Sequence, residues 1–255
     1  MFGFLIKKSF WDLWDNMGRI FAANLMFVVL FLGLYGTTFL APYSLAGATV
    51  ALIVLYLAFL VALGATAAYV KGISDFRPPE VKSLFHQIKK TWKTSLSGGL
   101  VFSIVIALTM LGIRFYSAWG NMIGLVGAIF LFWVLVTVNL AAIYYLPVVN
   151  RLKSTFPKMI KKSFLIFIDN PFHSIAVFIG IIPGLLLSIV TVFLLPGPAG
   201  ILLWLDNNLK LLVYKYDYLE ENPDAGRKIP WRALCLEDNE KIGPRTFRNT
   251  IFPWK

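Results

Sequence analysis

Ile6-Lys7-Lys8-Ser9-Phe10 returns as Ile88-Lys89-Lys90-Thr91-Trp92 and again as Ile160-Lys161-Lys162-Ser163-Phe164. Each copy stands just ahead of a long, uncharged, mostly apolar segment. An isoleucine, two lysines, a hydroxyl residue and an aromatic make about a turn and a half of basic amphipathic helix. Such a helix lies on a membrane surface, with its lysines toward phosphates and its aromatic toward acyl chains. The chain therefore reads as three repeats of one unit, a basic amphipathic surface helix followed by a membrane hairpin. The alternative is that basic linkers share composition without sharing an origin.

The apolar segments support the hairpins. No charged residue lies between Arg19 and Lys71. A crossing helix takes about 20 residues, so this run holds two helices and a turn. They are expected at 20–40 and 46–70, broken at Pro42, which removes a donor and disfavours a helical Ala41. Gly47, Ala48, Thr49 and Ala51 give the second helix a small-residue face for close packing. Further spans are expected at 96–113, 122–145, 171–194 and 199–218. The sixth is the weakest, because it carries Asp206, Asn207, Asn208 and Lys210. Asp169-Asn170-Pro171 is a helix-start signal for the fifth. Residues 219–255 form a polar tail with one short helical stretch, 230–241, stopped by Gly243-Pro244.

Composition agrees. Of 255 residues, 58% are hydrophobic and 15% charged, against about a quarter charged in soluble domains. The fold class is an all-α membrane protein, a six-helix transmembrane bundle. The net charge of +11 sits in the loops between apolar segments, a pattern of orientation and anionic-lipid contact rather than of nucleic-acid binding. The N-terminal segment carries three Lys or Arg, residues 71–95 six and residues 151–169 five, whereas the opposite side has only Arg114. The positive-inside rule then places both termini in the cytoplasm of a multi-pass inner-membrane protein. Lys7, Lys8, Lys89, Lys90, Lys161 and Lys162 are the expected lipid-facing cations. Cys235 is the single cysteine, so no intrachain disulfide forms.

Catalytic signals are sparse. His86 and His173 fit no metal-ligand spacing, and there is no nucleophile elbow, phosphate-cradling glycine loop or HExxH. The expectation is a non-enzymatic protein without cofactor or metal. Asp206 and Lys210 are four apart and face each other on a helix. An ionisable pair inside a membrane span is a candidate functional site; the alternative is a self-neutralising pair whose lysine snorkels out. In the tail, Trp231, Phe247, Arg248, Phe252 and Trp254 combine aromatic and basic groups, as interfaces do. They dock a partner or fold back on the chain's own basic helices.

Three stretches resemble the YesL family of bacterial membrane proteins: Asn24-Leu25 in the first span, Pro42-Tyr43-Ser44-Leu45-Ala46-Gly47-Ala48-Thr49-Val50-Ala51-Leu52, and Ser83-Leu84-Phe85-His86-Gln87-Ile88-Lys89-Lys90-Thr91-Trp92-Lys93. The resemblance covers residues 1–218. It implies no catalytic residues. It does imply an accessory or scaffold role beside carbohydrate ABC-transporter subunits. The competing function is a self-contained small-solute transporter or channel with Asp206 in its pathway.

Overall fold

The computed structural model describes residues 1–152, 154–223 and 229–245. Among these residues the chain forms α1 (Phe2–Asp15), α2 (Met17–Leu40), α3 (Leu45–Ser74), α4 (Ser83–Ser117), α5 (Met122–Arg151), α6 (Phe156–Asp169), α7 (Pro171–Val190), α8 (Gly197–Glu221), α9 (Trp231–Leu234) and α10 (Leu236–Ile242). Five of them, α2, α3, α4, α5 and α7, are long and apolar enough to cross a membrane, which makes this an all-α, multi-pass membrane protein.

Local chemistry sets the starts. Ser44 caps α3 by accepting from the Gly47 N–H at 3.0 Å, and Asn121 caps α5 by accepting from the Gly124 N–H at 2.8 Å. Each cap satisfies an orphan donor of the first turn. Close packing follows small residues, but not those expected. Of the expected face Ala48 is buried and Gly47 and Ala51 are half-buried, but Thr49 is exposed. The tight approach lies deeper in α3, where a Cβ on Gly64 would fall 1.5 Å from Ser95 Oγ of α4. At the next interface a Cβ on Gly98 would fall 2.0 Å from the Tyr145 ring of α5. Without interhelical water to expel, such contacts carry helix association in lipid.

Two boundaries differ from expectation. The second basic surface helix is not a separate element: residues 83–95 run unbroken into the expected span 96–113 as α4. Gly98 and Gly99 do not stop it, because no proline interrupts the backbone ladder and both glycines are packed against neighbours, Tyr145 and Leu60. At 35 residues α4 is about 52 Å long, well beyond the hydrocarbon thickness of about 30 Å. Likewise α5 continues past 145, through Pro147, to Arg151.

The third hairpin is unlike the first two. α8 lies at the centre, packed against α1, α2, α3, α5 and α7, and almost every residue from Gly197 to Leu212 is buried. The sixth expected span, 199–218, is thus a helix enclosed by protein rather than lipid, which is how it accommodates its polar residues. Its start is held by α2: Asn24 Nδ2 donates to the carbonyls of Leu194 (2.9 Å) and Pro196 (2.7 Å), and Asn24 Oδ1 accepts from the Ala199 N–H (2.9 Å). Ser188 Oγ accepts from the Gly197 N–H at 2.9 Å. Gly197 has φ +60, and a Cβ there would strike the Asn24 amide, so both the left-handed backbone and the close approach require glycine. Phe193, at the tip, packs on Phe31 with ring centroids 4.7 Å apart. Beyond Phe31, α2 runs nine residues further to Leu40, about 14 Å. The tip of the α7–α8 hairpin therefore stops partway along α2.

Candidate functional site

At the end of the bundle that carries the basic residues, five helices bring ionisable side chains into one buried cluster. α3 ends at Ser74, whose carbonyl is one of the orphan acceptors at a helix C-terminus, where the dipole is negative. Two ammonium groups meet it: Lys8 Nζ from α1 at 2.9 Å and Lys210 Nζ from α8 at 3.0 Å. Lys8 also pairs with Asp12 at 2.9 Å, one helical turn away. Lys210 pairs with Asp238 of α10 at 2.9 Å. Arg151, the last residue of α5, donates to Asp206 Oδ1 through Nε at 3.0 Å and to Asp206 Oδ2 through Nη2, and it reaches Asp75 Oδ1 and Ser74 Oγ at 3.0 and 2.9 Å. Asn207 Nδ2 links Ser9 Oγ (3.1 Å) to Asp12 Oδ2 (3.0 Å).

Phe76 forms the floor. Its φ of 55 is unusual for a bulky residue, and it turns the ring under the cations, with Lys8 Nζ 3.8 Å and Lys210 Nζ 5.0 Å from the centroid. Cation–π attraction offsets the backbone strain. The electrostatics follow from burial. Lys8 is fully buried and Asp12 5% exposed. Burial pushes the Asp12 carboxyl above its usual range against the pull of Lys8 and Asn207. Burial likewise pushes the Lys8 ammonium down although Asp12 opposes it.

Several sequence expectations change here. Asp206 and Lys210 are both in the cluster, yet among the described residues they do not pair with each other. Arg151 takes Asp206 and Asp238 takes Lys210, because two partners from other helices lie closer than a turn along α8. Lys8 is not a lipid contact. It points inward, since α1 packs that face on α8 and α3. Lys7 donates to Asn239 Oδ1 at 2.9 Å, and Lys162 to Ser154 Oγ at 2.8 Å. Lys89, Lys90 and Lys161 are exposed. The described part of the tail folds back: Trp231 is half-buried against the core, and Asp238 is buried in the cluster. Phe247, Arg248, Phe252 and Trp254 lie outside the described residues. His86 is exposed, while His173 Nε2 bonds Asn208 Oδ1 at 2.6 Å.

Arg151, Ser74, Asp75, Phe76 and Asp238 went unrecognised in the sequence. One signal could have found the acids. In loops dominated by lysine and arginine, the few carboxylates at helix ends are the natural partners of any cation that turns inward. Among the described residues, no group of three or more His, Cys, Asp or Glu side chains is placed to hold a metal ion. Chemically, the cluster can bind helices together and hold a fixed pattern of charge. Comparison with protein-family models, with curated proteins and with solved structures finds no match to this chain.

Proposed function

We propose that this chain is a non-enzymatic integral membrane protein acting as an accessory or scaffold subunit of a transport system, with carbohydrate ABC-transporter subunits as the partners that its likeness to YesL proteins implies. One observation carries the reading: the buried and half-buried ionisable groups of the cluster are engaged with one another, Arg151, Lys8 and Lys210 against Asp12, Asp75, Asp206 and Asp238. A cluster paired in this way ties α1, α3, α5, α8 and α10 together. It leaves exposed cations on α4 and α6, Lys89, Lys90, Lys158 and Lys161, for lipid and partner.

The topology belongs to the same proposal. The basic end faces the cytoplasm of a bacterial inner membrane; the distribution of Lys and Arg supports the orientation, and the likeness to YesL proteins the compartment. α2 to α5 cross, and the α7–α8 hairpin enters from the cytoplasmic side and turns back inside the bilayer, shielded where its backbone is irregular. The halted tip against Asn24 and Phe31 supports this in place of six crossings, and it leaves the third unit as a modified copy of the other two.

The test is purification of tagged protein at native expression in gentle detergent, with mass spectrometry of what accompanies it. Stoichiometric transporter subunits are the expected result. Removal of residues 246–255, which spares Asp238, should release them if the tail docks. A lone protein, from a preparation in which known complexes survive, overturns the accessory reading.

A second reading, a small-solute transporter, draws on one observation. Asp75 lines an open cleft and is bonded to Arg151, which holds Asp206. Asp206→Asn should then alter flux or its pH dependence; unchanged flux in a working assay removes it.

A further inference from the structure

A cleft of about 500 Å³ opens beside the charge cluster, between the end of α3, the first turns of α4, the end of α5 and the start of α6. Its making begins with the turn at Phe76. That turn returns the chain over α3, where the Arg77 N–H donates to the Gly72 carbonyl at 2.8 Å. A Cβ on Gly72 would fall 2.9 Å from the Arg77 carbonyl oxygen and from Pro79, so glycine permits the return. Arg77 thereby lines the cleft together with Lys90 of α4 and Lys71 of α3.

The cleft walls carry cations without an anionic partner among the described residues. Among the described residues Lys71, Arg77 and Lys90 make no ion pair, and the only side-chain bond any of them makes is Lys71 Nζ to the Asn150 carbonyl at 2.9 Å. The side-chain nitrogen of Asn150, also at the cleft, is buried without a partner. The one acid among the lining residues, Asp75, is paired with Arg151 at 3.0 Å, a cation it shares with Asp206. Arginine and lysine are donors only, and three of them against one carboxylate leave a concave site with an excess of positive charge beside the neutral side chains of Gln87, Thr91, Thr94 and Ser154. Its volume lies in the range of small-ligand pockets, about 300–1,000 Å³.

We propose that this cleft binds a phosphate group, held by Arg77, Lys90 and Lys71 with the Asn150 amide as a further donor. A phosphate monoester carries about −1.5 to −2 at neutral pH and three acceptor oxygens, which matches the charge and the donors. The same chemistry is offered by the headgroup of phosphatidic acid and by a soluble phosphate compound. The site does not depend on the accessory reading, since it is defined within this chain.

The test uses the full chain. Protein in detergent is titrated with inorganic phosphate. Separately, it is reconstituted into vesicles of phosphatidylcholine alone or with phosphatidic acid. Binding is read as a rise in unfolding temperature. The cleft variant combines Arg77→Gln with Lys90→Gln. The control, Lys82→Gln with Arg114→Gln, removes the same charge outside the cleft. All four side chains are exposed and unpaired among the described residues, so both variants are expected to unfold like the parent without ligand. Hydrogen bonds to charged groups predict that the cleft variant weakens binding by about tenfold or more, with the control unchanged. Response to inorganic phosphate identifies a soluble ligand; response only to phosphatidic acid identifies a lipid headgroup. Equal weakening in both variants, binding indifferent to the cleft variant, or no response to either probe overturns the proposal.

Discussion

The first hairpin, α2–α3, and the third, α7–α8, start from the same kind of sequence and finish differently. Between Arg19 and Lys71 the first has no charge, and its outer half leaves Val29, Leu32, Val50 and Val54 each more than half exposed. The third places Asp206, Asn207, Asn208 and Lys210 on its second helix and buries all of them. A charge in contact with hydrocarbon is expensive, so a helix carrying two must be wrapped by protein and partnered. The difference teaches that length and apolarity identify a helix that suits a membrane, while the position of its polar residues decides whether lipid or protein surrounds it.

The contrast can be broken outright at the two tips. In a Cys235→Ser background, Tyr43→Cys marks the first turn and Val192→Cys the third. On the proposed topology a membrane-impermeant maleimide added from the outside of right-side-out vesicles labels the first and spares the second. Equal labelling would mean that α7 and α8 both cross.

Next in size is the charge cluster. Arg151→Ala leaves Asp206, 1% exposed, buried without its cation, and removing one member of a buried pair costs about 3–5 kcal/mol. Val54→Ala, at an exposed apolar position of α3, is expected to stay within about 0.5 kcal/mol. Unfolding of both variants in one detergent measures the gap; comparable losses would erase the distinction between the hairpins.

Asn24→Ala tests the clamp between them. It strips a buried cap from the Ala199 N–H and a donor from two carbonyls, for an expected loss of about 1–3 kcal/mol. Hydrogen exchange should then rise at the start of α8 and not in α3; a uniform rise would argue against a local clamp.

The smallest effect is pH-dependent and lies at the base of the third hairpin. Burial alone would raise the Asp169 carboxyl, but hydrogen bonds from Tyr216 (2.8 Å) and Lys215 (3.0 Å) hold it below the usual carboxylate range. With the folded value depressed, the stabilisation is fully present above the unfolded value, about 3.9, and is lost as pH falls through the folded value. Because the carboxyl is more than half exposed, solvent screening keeps the effect slight. Asp169→Asn should lower the unfolding temperature slightly at neutral pH and make no difference in strong acid.

Much of the frame was legible from residues alone. The start of α7 was read at Asn170-Pro171, where proline in the first turn fits although Asn170 makes no side-chain cap bond, whereas the caps at Ser44 and Asn121 came from the structure. The short helical stretch before Gly243 was also legible, although the chain divides it at Cys235. The merging of the second surface helix into α4 was not, because an amphipathic turn has the same pattern whether it lies along a membrane or stands in line with the span behind it. Of the site, Asp206 and Lys210 stood out as misplaced charges, but their partners did not. Asp75, Arg151 and Asp238 look like ordinary members of polar segments.

Composition, charge-free runs and prolines thus determined, without coordinates, an all-α membrane protein with a basic face and helices close to those observed. Those properties are local: the cost of placing a charge in hydrocarbon and the loss of a donor at proline depend on a residue and its near neighbours. Tertiary structure alone decided that Lys8 turns inward, that Arg151 rather than Lys210 serves Asp206, and that Asn24 holds the third hairpin partway along α2. These depend on which side chains from distant segments arrive within about 3 Å of one another, a distance at which a hydrogen bond forms and which helix packing, not sequence spacing, sets.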